Sequence, residues 1–180
     1  MRQRYSLDLP SAIRLSSITT VVTIGRNEDL QSIGHTCRTL YYVEAGLLRV
    51  FYFQDDTDVS ESFEPEGSFV ARAESLFSGK PSRKGIRAVE DTRLMAIDTR
   101  GLYASFDAYP PLERMFRKII EEAYVKAIQR QESLQFHSPE ERYQLLLEHQ
   151  PDIIRRAPLK FIASYLGITA VSLSRIRARH

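Results

Sequence analysis

The 180-residue chain has a single cysteine, Cys37, and that shortage excludes much chemistry. One thiol can form no internal disulfide, no thiolate zinc site and no four-cysteine iron–sulfur cluster, so Cys37 is expected to be a packed or half-exposed thiol. His35, His137, His149 and His180 are scattered without metal-ligand spacing, and no serine or cysteine sits in a nucleophile motif. An enzyme is therefore not expected, and neither a catalytic residue nor a metal site is assigned. No apolar run approaches the roughly 20 residues of a membrane span. The opening stretch MRQRYSLDLPSAIRL also lacks the apolar core of a signal peptide. A cytoplasmic protein without a membrane partner is the expectation. The acidic stretch Asp55, Asp56, Asp58, Glu61, Glu64 and Glu66 lacks the fixed spacing of a calcium-binding loop and reads as a solvated hairpin tip. With 43% hydrophobic residues and no low-complexity segment, the chain can bury one good core or two small ones.

What is present divides by the period of its apolar residues. Between about residues 40 and 97 the chain is strand-like: LYYVEAGLLRVFYF, VSESF, GIRAV and LMAI, separated by turn formers at 54–58, 64–68, 79–81 and 90–93. Short strands at this spacing indicate a barrel or a sandwich. In VSESF the apolar Val59 and Phe63 bracket Glu61, the alternation of a strand with one buried face. LLRVFYF is nearly all apolar and should run through the middle of its sheet. Residues 15–33 are read as further strands.

After Pro110 and Pro111 the period becomes helical. Leu112, Met115, Phe116, Ile119, Ile120, Ala123, Ala127, Ile128 and Leu134 mark one stripe to about Phe136, about 25 residues or 37 Å long. Such a helix exceeds what a small barrel covers. It either only packs across the barrel or also forms a dimer seam, with small Ala123 and Ala127 admitting a partner helix. His137 and Ser138 then break the chain. Ser138, Pro139 and Glu141 form a capping box that starts a new helix through Leu147 and marks a boundary with a hinge near residues 137–139. The expected fold class is α+β: an N-terminal antiparallel β-roll over 1–110, a long helix over 111–137, and a helical unit over 138–180.

That last unit carries the most specific pattern. With Leu159 as its first position, LKFIASYLGITAVSLSRIRARH has apolar residues at the fourth, eighth, tenth, fifteenth and eighteenth places: Ile162, Leu166, Ile168, Leu173 and Ile176. Ala163 supplies the small side chain where two helices cross, Gly167 the positive φ of the turn, and Thr169 the cap of the second helix. The pattern is that of a helix-turn-helix, which makes double-stranded DNA the expected partner. DNA-reading units of this kind commonly pair on two half-sites, which favours the dimer seam over 112–136. Charge agrees. Residues 151–180 hold six basic side chains and one acidic, a net of +5, and the other 150 residues hold 19 basic and 22 acidic.

The order of these parts resembles the family of the cyclic AMP receptor protein and the fumarate-nitrate reduction regulator. The residues that carry the likeness are YYVEAGLLRVFYF (41–53), EGSFVARAESLF (66–77), PSRKGIRAVEDTRLMAI (81–97) and ERYQLLLEHQPDIIRRAPLKFIASYLGITAVSLSRIR (141–177). The last is similar to the branch common in Bacteroidetes. The resemblance implies a homodimeric transcriptional regulator, with RNA polymerase as a further partner and a cyclic-nucleotide-binding-like pocket in the roll. Members that bind cyclic AMP carry Gly-Glu at a short helix and Arg-Ser further on. Aligned through Gly67, Phe69 and Phe77, the first pair becomes Ala71 and Arg72; aligned through Arg87 and Ala88, the second becomes Ser82 and Arg83 in reversed order, while Ala127 and Ile128 replace the hydroxyl residues of the long helix. A cation has replaced the ribose-binding carboxylate, and strand alternation should turn Arg83 away. Cyclic AMP is not expected, and no other cofactor is assigned. Arg72, Arg83 and Lys84 form either an anion site or a set of solvated charges.

On the DNA side the resemblance places Ala170, Val171 and Arg175 at the base-reading positions. Arg175 suits guanine, Ala170 and Val171 can only meet a thymine methyl, and Ser172 and Ser174 add polar contacts. Thr169, Lys160, Arg177 and Arg179 are expected at phosphates. The apolar readers keep open an alternative, a non-catalytic ligand- or protein-binding module whose helix-turn-helix no longer reads DNA.

Overall fold

The computed structural model describes residues 5–178. Helix α1 (Leu9–Ser17) is capped by Asp8, whose side chain accepts from the Ser11 amide at 2.9 Å, and has a proline in its first turn. It buries Leu15 in a cluster with Leu112, Met115 and Ile119. This corrects the strand expected from residue 15. The Asp8-Leu9-Pro10 start signal precedes a segment whose three-residue spacing, Ala12 to Leu15, is helical, so the strands begin only after residue 18.

Eight strands follow: β1 (Thr19–Ile24), β2 (Asp29–Gln31), β3 (Thr39–Ala45), β4 (Leu48–Gln54), β5 (Thr57–Glu64), β6 (Phe69–Val70), β7 (Gly85–Ala88) and β8 (Thr92–Asp98). They make two four-stranded sheets, ordered β1-β8-β3-β6 and β2-β7-β4-β5, with every pairing antiparallel. Val43, Val70 and Leu94 from the first sheet meet Leu48, Val50, Ile86 and Ala88 from the second in one apolar core. Helix α2 (Ala73–Ser78) lies between β6 and β7, and α3 (Thr99–Tyr103) follows β8. As the apolar run required, β4 lies inside its sheet, yet its Arg49 is fully buried.

The β4–β5 hairpin turns through Asp55 and Asp56, both at positive φ (46° and 61°), a two-residue turn matched to strand twist. Of the six acidic residues read as a solvated tip, only these two lie at it. Asp58 pairs with Arg49, Glu61 with Lys84 and Arg72, and Glu66 with Arg156, while Glu64 accepts from Ser62. The partners come from distant segments, which a local charge pattern cannot reveal.

Helix α4 (Pro110–Phe136) spans 27 residues, and its first half is buried at Leu112, Met115, Phe116 and Ile119. From Glu121 to Gln129 every residue is exposed. Ser138 and Glu141 close the expected capping box, each amide donating to the other's side chain, at the start of α5 (Pro139–His149). Helices α6 (Pro151–Arg156), α7 (Leu159–Tyr165) and α8 (Ala170–Arg177) complete the chain. These four helices share one core with the roll: Tyr143, Leu146, Ile153, Phe161, Ile162, Leu166, Leu173 and Ile176 are continuous with Leu47, Phe63 and Val89. Among the described residues no single helix is long and apolar enough to cross a membrane.

Candidate nucleic-acid interface

Helices α7 and α8 lie at 97° to each other across a four-residue turn. Its chemistry is local. The Leu166 amide donates to Ile162 O at 2.9 Å, Gly167 at φ 71° reverses the chain, and the Ile168 amide returns to Ala163 O at 3.0 Å. Thr169 then turns extended, and its hydroxyl accepts from the Ser172 amide at 3.1 Å to cap α8. Ile162, Ala163, Leu166, Leu173 and Ile176 are all buried where the two helices meet, and Ile168 packs partly against them.

Burying Leu173 and Ile176 fixes the opposite face of α8. Ala170, Val171, Ser174, Arg175 and Arg177 are exposed, Val171 to 62%, and Ser172 is half-buried. Neither Arg175 nor Arg177 has an ion-pair partner among the described residues. Thr169 and Lys160 are exposed as well, with the Lys160 ammonium 4.9 Å from the centre of the Phe161 ring. Arg179 lies outside the described residues.

Two of the basic residues counted in the C-terminal excess are committed elsewhere. Arg155 pairs with Asp152 within α6, and Arg156 points into the roll, where it is held by both Glu66 and Glu90. The charge left on the exposed face is therefore smaller than the sequence count. It is also concentrated on α8 and Lys160.

Arg156 forms one of three joints between this unit and the body. The Arg156 guanidinium hydrogen-bonds the Glu66 carboxylate at 2.8 and 2.9 Å and holds its carboxyl down to about 2, with Gly46 N adding a hydrogen bond. A depressed carboxylate stabilises the fold above its unfolded value of 4.5 and loses that contribution as pH falls towards 2. We expect the urea midpoint to drop across that acid window, and to drop less in Glu66→Gln, as unfolding curves at several pH values would measure. At the second joint, buried Arg49 stacks on Phe161 of α7 at 3.7 Å, and the Ser60 amide donates to Ser164 Oγ at 3.1 Å. At the third, Arg130 of α4 donates to Tyr165 O and lies 4.0 Å from that ring's centre, and within the unit itself Arg142 Nε of α5 donates to Leu166 O at 3.0 Å. Two arginines thus satisfy carbonyls at the end of α7. None of these joints was read from the sequence. The only available signal was a charged residue, Arg49, inside an apolar strand.

The roll residues singled out for an effector do not form one group. Gly67 sits at φ 82° in the turn before β6 and donates to Val43 O at 2.9 Å. Ala71 packs on the cluster around α4, whereas the guanidinium of Arg72 reaches Glu61 at 3.4 Å. Ser82 is buried, its hydroxyl donating to Lys84 O at 2.8 Å, and Arg83 is exposed, but both lie in the loop before β7 (Gly85–Ala88), so the strand alternation expected of them does not set their aim. Ala127 lines a cleft of about 670 Å³ between the β4–β5 hairpin, α4 and the α7–α8 turn, and Ile128 remains partly exposed beside it on α4. Among the described residues no three His, Cys, Asp or Glu side chains are grouped to hold a metal ion.

Comparison with protein-family models finds no match, and neither does comparison with curated proteins. Solved structures do match over nearly the whole chain. FixK2 from Bradyrhizobium japonicum is 19% identical with a TM-score of 0.76, covering 90% of this chain and 84% of that one. The c-di-GMP-responsive global regulator CLP from Xanthomonas campestris is 17% identical with a TM-score of 0.73, covering 96% and 91%. A protein from Eubacterium rectale assigned to the Crp/Fnr family of transcriptional regulators is 15% identical with a TM-score of 0.76, covering 99% and 86%. At this identity the likeness establishes the fold. The chain is built as these regulators are, with antiparallel sheets, a long helix and a helical C-terminal unit.

Proposed function

We propose that the chain is a sequence-reading DNA-binding regulator of the Crp/Fnr type, acting as a homodimer in the cytoplasm. One observation carries this reading: α8 buries Leu173 and Ile176 against α7 and presents Arg175, Arg177 and the serines on a single uncovered face. Arg175 is the base reader, suited to guanine, and Arg177, Lys160 and Thr169 position the helix on phosphates. The bounds 1–110, 111–137 and 138–180 then separate roles, of sensing, pairing and reading, while the shared core joins the first and last mechanically. Assignment to the Bacteroidetes-like branch rests on residues 141–177 alone. RNA polymerase is the natural further partner of such a regulator.

Cyclic AMP is not its ligand in this reading. Arg72 stands where a ribose acceptor is needed and is paired internally, Arg83 faces solvent, and Ala127 and Ile128 offer no hydroxyl to a base. The test is selection of genomic DNA fragments by wild type and Arg175→Ala at two salt concentrations. Wild type should recover a two-fold symmetric site. Arg175→Ala should lose about 1–3 kcal/mol on that site and relax its base preference, whereas Arg177→Ala should weaken all sequences alike and flatten the salt dependence. Equal, weak, salt-sensitive binding by all three would instead favour a module that meets a protein partner, for which exposed Val171 and Ala170 would be the contact.

A further inference from the structure

Strand β5 is irregular at one residue. Opposite β4, Val50 pairs with Ser62 but Phe51 pairs with Ser60, so Glu61 is the extra residue of a β-bulge. A bulge breaks alternation and re-aims the side chain it carries. The burial along β5 shows the effect, falling on Ser60 and Phe63 rather than on a single alternating face. Glu61 is thereby turned towards two cations from other segments. Lys84 Nζ, just before β7, donates to its Oε1 at 2.5 Å, and Arg72 Nη2, just before α2, approaches its Oε2 at 3.4 Å.

Two cations share this one carboxylate, and the match is incomplete. The Arg72 side chain is only 15% exposed, yet its Nε is buried with no hydrogen-bond partner, and Glu61 Oε2 makes no hydrogen bond either. The next carboxylate along the strand does not complete the balance: burial pushes the Glu64 carboxyl up towards its neutral form, and its hydrogen bond comes from Ser62. Glu61 and Lys84 line the cleft of about 670 Å³ described above, whose far wall adds a third cation, Arg130. A buried guanidinium with an unused donor beside an ammonium is the arrangement that takes a phosphate or carboxylate group.

We propose that Arg72 and Lys84 form an anion site that the chain fills with its own Glu61, held there by the bulge. A diffusible phosphate or carboxylate must displace Glu61 to enter, and removing the Glu61 charge opens the site. Displacement would also disturb the hairpin beside the Ser60–Ser164 hydrogen bond, at the joint with α7. Anion entry at this site is independent of any DNA reading by α8.

The test uses the full chain and inorganic phosphate at constant ionic strength, with affinity measured by calorimetry and by the amide resonances of Lys84 and Gly85. Glu61→Gln keeps the shape and removes the charge. It should bind phosphate at least about tenfold more tightly than wild type, and the gain should vanish in Glu61→Gln/Arg72→Gln. Should Glu61→Gln fail to fold, Glu61→Asp, whose carboxylate stops one methylene short of Lys84, should show the same gain at smaller size. Equal phosphate affinity in wild type and the Glu61 variants would overturn the assignment. So would a gain that survives loss of Arg72, or resonance changes confined to residues away from Lys84.

Discussion

Asp58→Ala is expected to lose about 3–5 kcal/mol of unfolding free energy, more than Arg49→Met, although both remove the same ion pair. The asymmetry follows from burial. Arg49 is fully buried within β4, with both Nη atoms on the Asp58 carboxylate at 2.6 and 2.5 Å and Nη1 also reaching Ser60 Oγ at 3.2 Å. Its guanidinium lies 3.7 Å from the centre of Phe161 and 4.7 Å from that of Phe51. Removing Asp58 leaves this fully buried cation between two rings without its counter-ion. Removing Arg49 leaves Asp58, whose side chain is 30% exposed and can hydrate. Methionine meanwhile refills most of the stem's volume, so the loss should be nearer about 1–2 kcal/mol. The double variant should recover part of the Asp58→Ala loss, because an apolar side chain against Phe161 needs no counter-ion. Urea unfolding of the three variants measures this directly. Equal losses in the two single variants would mean that Arg49 reaches water in solution and that the joint with α7 is not sealed.

How much of this was legible beforehand depended on the range of the forces involved. The α7–α8 turn could be read residue by residue because Ala163, Gly167 and Thr169 answer to steric and capping demands met within a few residues. The same is true of the Ser138–Glu141 box and of the long apolar stripe of α4. Helix α1 differs from the strand expected because its short apolar spacing competes with a strand-like continuation, and only the start signal at Asp8-Leu9-Pro10 marks it as a helix. Glu61 misled for a different reason. The acidic stretch around it suggests solvent, period two puts it on the face of Val59 and Phe63, and nothing in VSESF announces that the strand gains a residue there. The charge count of the C-terminal unit failed similarly: Arg155 and Arg156 look free in the sequence, but one closes on Asp152 and the other crosses to Glu66 and Glu90. What joins the roll to the C-terminal helices is entirely long-range, so a boundary at residue 138 locates the change of structure without its continuity of packing.

Ile128→Asp is expected to convert the protein to a monomer and to lower affinity for a two-fold symmetric DNA site by about 10²–10⁴-fold, with little change in folding stability. Between Glu121 and Gln129, α4 is exposed on all sides, including Tyr124 at 67%, Val125 and Ile128. Apart from Ala127 at the edge of the cleft, this stretch of helix gains little from packing within the chain, and its exposed apolar residues are a net cost there. A second α4 laid beside it would cover them, with Ala123 and Ala127 allowing close approach. In a two-fold interface each substitution appears twice, so Ile128→Asp would bring two carboxylates towards the same seam and remove an apolar contact from each copy. Because Ile128 is already partly exposed, the isolated chain should barely register the change, within about 0.5 kcal/mol. Each α8 would still meet a half-site as before, and the loss would lie in the linkage of two readers. Sedimentation and DNA titration on full sites and half-sites separate these effects. A variant that stays dimeric would place the seam elsewhere on α4, while a monomer with undiminished affinity for the full site would mean that a single reading helix suffices.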